Sequence, residues 1–192
     1  MKHYYPTLTL ILFLLSFGAS AQSNYKPGYV IDLKGDTIKG FIDYREWSIC
    51  PDTIKFKKAA TDESSLYGVN EIGYFNVDGV DEYRKFTVTI SNSEIDPNKL
   101  EYLKDTTLRT ATVFLRVLQQ GGKVTLYSYT DKLKTRYYIG EGSNVTPKEL
   151  IYQTYLDPHY DDPSNSGGRT SRTITENTFR RQLNAVALKY NM

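Results

Sequence analysis

The feature that most constrains the fold is a pattern of alternating apolar and polar residues within residues 27–57. Successive side chains of a strand point to opposite faces, so Tyr29 and Ile31 share one face of a pleated strand. Residues 38–44 alternate in the same way, and Gly35 between the two segments is typical of a hairpin turn. The stretch therefore predicts three short strands, at 28–33, 38–44 and 53–57.

The rest of the chain contains further alternating segments of strand length, separated by turn residues. Val113 and Leu115 would face one side of a sheet and Phe114 the other, which predicts an interior strand covered on both faces. Residues 91–107 lack this alternation and are expected to form an irregular excursion over the surface. The additional strands are predicted at 66–77 (one strand or two), 83–90, 112–118, 123–130 and 134–139.

Residues 146–155 carry a well-marked helix signal. Thr146 is suited to the N-cap and Pro147 to the first helical position. Glu149, three residues after the threonine, completes a capping box. A short helix is therefore expected directly after the meander.

A second helix is predicted at the end of the chain. Phe179, Leu183, Val186 and Tyr190 recur at helical spacing and form one apolar stripe. The preceding residues 157–172 contain prolines and paired glycines with almost no aliphatic side chains, as in a flexible linker or exposed loop. A helix with such a stripe must dock on its own sheet or on a partner.

These patterns together predict a mainly β (α+β) fold. The sheet is expected to be an antiparallel β-meander, arranged as a half-barrel or as a sandwich, with a short helix after the meander and a C-terminal amphipathic helix. The domain organisation that follows is a signal peptide at 1–21, a β-rich domain at 22–156, a flexible linker at 157–172 and the C-terminal helix at 173–192.

The first 21 residues are predicted to be a cleaved signal peptide. Lys2 precedes an apolar run at residues 8–17, and Ala19-Ser20-Ala21 is the small-x-small pattern that signal peptidase recognises. The run is too short to span a bilayer, which needs about 20 residues. We therefore expect an exported protein, periplasmic or associated with the outer membrane or cell surface, that does not span the membrane after cleavage.

The stretch PGYVIDLKGDTIKGFIDYREW, followed by TIKFK, resembles the amino-terminal module of a family of secreted envelope proteins of the Bacteroidota. The likeness continues through TATVFLRVLQQGGKVTLYSYTDKLKTRYYI, KELIYQTY and FRRQL, so it covers most of residues 22–192. The resemblance implies an uncharacterised envelope protein. Longer members of the family look like this module followed by an outer-membrane β-barrel, and we expect no membrane-embedded role for the present chain.

Catalytic and metal-binding motifs are missing from the sequence, so we expect a non-enzymatic protein without catalytic, cofactor or metal site. Asp157, His159, Asp161 and Asp162 are the one cluster of ligand types, but the spacing fits neither a calcium loop nor a zinc site. Cys50 is the single cysteine and is predicted to be a buried thiol. The net charge of +2 gives no reason to expect a nucleic-acid partner.

The chain has 17 tyrosines, and tyrosine combines apolar area with a hydroxyl group in a way that favours interfaces. A structural role in the sheet explains the same enrichment, because strands favour aromatic residues. The possible interaction face comprises Tyr127, Tyr129, Tyr137, Tyr138, Tyr152, Tyr155, Phe179, Leu183, Val186 and Tyr190.

Asp36-Thr37-Ile38 and Asp52-Thr53-Ile54 repeat one tripeptide at the start of two predicted strands. Turn and strand preferences explain both copies. The resemblance to Bacteroidota proteins implies a second reading, in which Thr37 and Thr53 are O-glycosylation sites.

The function expected from these observations is an exported, non-enzymatic, β-rich envelope protein that binds or supports a protein or other envelope component. One alternative is a small outer-membrane β-barrel, which alternating segments permit. Another is an uncharacterised ligand-binding protein or hydrolase, which a pocket with converging carboxylates would favour.

Overall fold

A computed structural model of the chain describes residues 24–142, 145–160 and 172–191. Twelve strands and one helix form in these residues. The signal peptide predicted at 1–21 and most of the linker predicted at 157–172 lie outside the described residues. The strands are β1 Tyr25–Asp32, β2 Thr37–Asp43, β3 Thr53–Lys57, β4 Ser65–Gly68, β5 Ile72–Val77, β6 Asp81–Ser91, β7 Leu108–Gln120, β8 Val124–Thr130, β9 Thr135–Glu141, β10 Lys148–Glu149, β11 Gln153–Leu156 and β12 Thr173–Glu176, and the helix is α1 Thr178–Tyr190.

Ten of the strands form one continuous antiparallel sheet in the order β10-β9-β8-β7-β6-β5-β1-β2-β3-β4. The predicted mainly β, antiparallel fold is confirmed. Strands β11 and β12 pair with each other as a separate two-stranded sheet. The interior position predicted for the strand around Phe114 is also confirmed, because β7 lies between β6 and β8.

The half of the sheet that contains β1–β5, called the first half, is curled. Strand β4 ends at Gly68 and β5 begins at Ile72, yet three strands separate them in the sheet order. In a flat sheet the two would lie about 19 Å apart, at about 4.8 Å per strand spacing. The short connection spans at most about 14 Å. The half therefore bends around a core that includes Val30, Ile42 and Phe75.

The second half, which contains β6–β10, curls the opposite way, so that the whole sheet is S-shaped. The hydroxyl of Tyr138 on β9 donates to the backbone oxygen of Thr89 on β6, 3.2 Å away, across the two intervening strands. Neighbouring residues of a strand point to opposite faces. Accordingly, Phe114 packs in the core of the first half, called the first core. Its neighbours Val113 and Leu115 pack in a separate core of the second half, called the second core.

Two glycines permit the tight bend of the first half. Gly28 and Gly40 are direct partners on β1 and β2. A Cβ atom on Gly40 would lie 2.1 Å from the backbone oxygen of Lys57, and one on Gly28 would lie 2.2 Å from that of Asn76. Such distances are far below van der Waals contact, so both positions require glycine for close approach of another backbone.

The prediction of a helix at 146–155 is wrong. Lys148–Glu149 forms β10 on the edge of the sheet, and the backbone N–H of Leu150 extends this pairing by donating to the oxygen of Tyr137. The carboxylate of Glu149, expected to cap a helix, instead binds Ser91. A helix of this length is marginal without tertiary support, and the open edge of β9 provides backbone partners that a lone helix lacks.

The C-terminal helix is confirmed, although it begins at Thr178, five residues after the predicted start at 173. Residues Thr173–Glu176 pair with β11 as strand β12. The helix docks on its own sheet: the side-chain amide of Gln182 donates to the oxygen of Glu149 and accepts from the N–H of Ile151, each at 2.8 Å. It thereby satisfies backbone groups that the edge strand β10 would otherwise expose.

Candidate functional site

A group of interacting polar residues in the second half lies where β6 loses its strand partner. Strand β5 pairs with β6 over Asp81–Arg84, and none of the described strands replaces it farther along that edge. Side chains take over this role. The backbone oxygen of Ser91 accepts from Arg136 Nε at 2.8 Å, and its N–H donates to Glu149 at 2.8 Å. We call Thr89, Ser91, Arg136, Tyr138 and Glu149 the edge cluster.

Arg136 is the most deeply buried charge of the edge cluster, with 1% of its side chain exposed. Its Nη1 atom lies 3.0 Å from the carboxylate of Asp131, and its Nε atom lies 4.0 Å from that of Glu149. Within the described residues, its Nη2 atom is buried and has no hydrogen-bond partner. Buried donors normally have a hydrogen-bond partner, so this atom is an exception within the edge cluster.

Two ionisable groups beside Arg136, Asp131 and Lys134, have lowered pKa values. Burial raises the pKa of Asp131, but the backbone N–H of Lys134 and the guanidinium of Arg136 outweigh burial and lower it to about 2. Lys134 is buried and donates to the hydroxyl of Ser93 at 2.6 Å. Burial, together with the nearby charge of Arg136, lowers the pKa of Lys134. Both carboxylates near Arg136 are thus engaged by protein donors, which describes a structural network.

A second polar group closes one end of the first core. The carboxylate of Asp81 accepts from the hydroxyl of Tyr44 and from Arg116 Nε, each at 2.7 Å. Burial and the hydrogen bond to Asp81 raise the pKa of Tyr44 to about 12. Trp47 packs edge-on against the ring of Tyr44. The group holds the end of β2 against β6 and β7.

Cys50 is half-buried between the two cores and contacts residues of both. Its backbone N–H donates to the oxygen of Thr130 at 2.8 Å, and its sulfur accepts from the N–H of Thr130 at 3.4 Å. Burial raises the pKa of the thiol. The thiolate is the reactive form of cysteine, so this environment opposes a nucleophilic role.

Three of the tyrosines predicted for an interaction face belong to the core, which corrects that prediction. Tyr127, Tyr129 and Tyr138 are 3%, 6% and 0% exposed. Tyr127 and Tyr129 alternate along β8, and Tyr138 lies opposite Tyr127 on β9. All three fill the second core. Tyr137 and Tyr152, at 49% and 44% exposed, remain available at the surface.

The other predicted interaction residues lie in or beside α1 and are partly used by the fold. Tyr155 donates to Glu176 at 3.2 Å, and Tyr190 donates to Glu141 at 3.0 Å. Val186 is buried against the body of the protein, whereas Leu183 is 38% exposed. Phe179 is half-buried, and its backbone N–H donates to the oxygen of Ile151. The stripe therefore serves mainly to dock the helix.

The candidate modification and metal positions have separate outcomes. Thr37 and Thr53 are both exposed, at the starts of β2 and β3, and O-glycosylation there stays a prediction. Of the acidic cluster, Asp161 and Asp162 lie outside the described residues, and Asp157 accepts from the backbone N–H of His159. In the part of the chain that the structure describes, no group of three ligand-type side chains is placed to hold a metal ion.

Sequence reasoning missed the edge cluster and the Asp81 group. The sequence pattern predicts a helix-capping role for Glu149 and shows Arg136 only as one polar residue of an alternating strand. One signal was present: Arg136 and Tyr138 are two residues apart on β9, so a charge shares the face of a core aromatic residue. That face is buried in the structure.

Comparison of the chain with protein-family models, curated proteins and solved structures found no match. The resemblance to secreted envelope proteins of the Bacteroidota therefore stays a prediction. Nowhere in residues 24–142, 145–160 and 172–191 does a helix reach the length and apolar content needed to cross a membrane.

Proposed function

We propose that the chain is an exported, non-enzymatic β-rich module that binds a protein or other component of the cell envelope. The observation that carries this proposal is that the buried ionisable groups form hydrogen bonds within the fold. Arg136 and Glu149 hold the free edge of β6, and Asp81 holds Tyr44 and Arg116. Residues engaged in this way support the fold and are not free for acid–base chemistry.

The surface supports the same proposal. Apolar side chains that neither core uses are exposed around the excursion between β6 and β7, with Leu103 at 81%, Leu108 at 59% and Tyr102 at 47%. The excursion is anchored, because the oxygen of Glu101 accepts from the N–H of Leu156 and Lys104 pairs with Glu176. Exposed apolar groups on an anchored segment are typical of a binding surface.

Fractionation and a binding assay on isolated envelopes test this function. The native protein should be found in the envelope fraction with residues 1–21 removed, which N-terminal sequencing of the purified protein detects. Labelled purified chain should bind isolated envelopes saturably, and excess unlabelled chain should compete. A protein that keeps residues 1–21 and remains in the cytosolic fraction would contradict the proposal, as would non-saturable binding equal to that of an unrelated protein of similar charge.

A further inference from the structure

The outer face of the first half of the sheet combines aromatic rings with basic side chains. Val30 points into the first core and is fully buried, so its neighbours Tyr29 and Ile31 point outward. Register then places the outward side chains beside one another. Tyr29 pairs with Lys39, and Phe41 pairs with Lys57. An aromatic residue therefore lies beside a lysine in each of these two cross-strand pairs.

Cations also lie over the rings of this face. Lys57 Nζ is 4.7 Å from the centre of the Tyr25 ring, and the guanidinium of Arg84 is 6.0 Å from that of Tyr74. The rings of Tyr29 and Tyr74 stack with their hydroxyls 3.1 Å apart. The face thus offers flat apolar rings with hydroxyl and ammonium groups at their borders.

A groove of about 480 Å³ crosses this face. Tyr29, Phe41, Lys39 and Lys58 are among the residues that line it. Within the described residues these two lysines form no ion pair, whereas Arg84 is held by Glu82 and Arg45 by Asp43. Asp78 lines the same groove and can accept hydrogen bonds from hydroxyl groups. With two lysines and one aspartate, the groove carries a net positive charge.

We propose that this aromatic–basic face (Tyr25, Tyr29, Lys39, Phe41, Lys57, Lys58 and Tyr74) binds an acidic polysaccharide chain. Sugar rings present apolar faces that stack on aromatic side chains and hydroxyls that bind polar groups, and their carboxylates pair with lysine. Charge complementarity selects an acidic ligand over a neutral one. The choice of a polysaccharide rests on the proposed function, because an exported module meets the acidic sugars of an envelope.

Titration of the purified chain with polygalacturonate tests the proposal, with dextran as the neutral control and oligothymidine as the nucleic-acid control. We expect saturable binding of polygalacturonate that weakens as salt rises, and no binding of dextran. Substitution of Lys39, Lys57 and Lys58 by glutamine should weaken binding about tenfold or more. The variant Phe41→Leu, which keeps an apolar side chain but removes the ring, should weaken binding several-fold while the lysines remain.

A matched variant controls for net charge. Lys99, Lys132 and Lys148 lie away from the aromatic–basic face and are exposed, so their replacement by glutamine should change binding less than twofold. Equal losses in both triple variants, equal binding of dextran, or binding of oligothymidine alone would overturn the proposal. If polygalacturonate fails to bind while isolated envelopes still bind the chain, the ligand assignment fails and the proposed function stands. If neither binds, both fail.

Discussion

The carboxylate of Glu149 accepts both the backbone N–H and the hydroxyl of Ser91, at 2.8 Å and 2.5 Å, although 58 residues separate the two in the chain. This contact joins β10 to the free edge of β6 and closes the curl of the second half. A side chain thus completes hydrogen bonds that a strand would make elsewhere in the sheet.

Replacement of Glu149 by leucine should destabilise the protein by about 3 kcal/mol, because it leaves the N–H and the hydroxyl of Ser91 without their acceptor. It also removes one of the two carboxylates near the buried charge of Arg136. Denaturant unfolding measures the change. Glu63→Leu, at an exposed position, is the matched control and should change stability by less than about 0.5 kcal/mol. Similar stability of both variants would contradict the role assigned to Glu149.

Gln182→Ala should expose the sheet edge at β10. The substitution leaves the oxygen of Glu149 and the N–H of Ile151 without their side-chain partner, at a cost of about 1–3 kcal/mol. Hydrogen exchange of the Ile151 amide, followed by NMR, should accelerate. The exposed Asn184→Ala on the same helix should leave this exchange unchanged. Unaltered protection in the Gln182 variant would show that the helix does not cover this edge.

Gly40→Ala should be among the most damaging small substitutions in the protein. Its Cβ atom would lie 2.1 Å from the backbone oxygen of Lys57, so β2 and β3 must separate, at a cost of about 3 kcal/mol or more. Gly73 provides the control, because a Cβ there meets nothing within 4 Å. Gly73→Ala should leave the free energy of unfolding unchanged or raise it by up to about 1 kcal/mol. Thermal unfolding of both variants measures the difference.

Tyr44 should make the protein sensitive to alkali. Its pKa rises from an ordinary value of 10.0 to about 12 in the folded state, so the group contributes stability below pH 10 that is lost as pH rises from 10 to 12. Tyr44→Phe should lower stability at pH 7 by about 1.5–3 kcal/mol, because the bond to the Asp81 carboxylate is lost. The free energy of unfolding, measured from pH 8 to 12, should also decrease less steeply with pH in the variant. An identical pH dependence in both proteins would refute the assignment.

The thiol of Cys50 should react slowly with iodoacetamide in the folded protein. Burial raises its pKa and so lowers the thiolate fraction at pH 8. Mass spectrometry should show alkylation several-fold slower than that of the same chain in denaturant. Reaction at the denatured rate would indicate an accessible thiol and contradict the packing between the two cores.

Most of the strands could be predicted because their side-chain alternation is local. Residues 53–57 were predicted with the observed bounds, and β7 was placed correctly in the interior since it is apolar on both faces. The failure at 146–155 has the same origin. A capping box is a local signal, and the partners that overrode it, Tyr137 and Ser91, come from distant parts of the chain.

The amino-acid sequence by itself determined the period of the strands, the turns between them and the apolar stripe of α1, because each depends on residues close together in the chain. Tertiary structure alone decided that the sheet is S-shaped, that Tyr127, Tyr129 and Tyr138 lie in the core, and that Tyr29 lies beside Lys39 on the surface. These features depend on register and curvature, which arise only when segments far apart in sequence pair and compete for the same backbone groups.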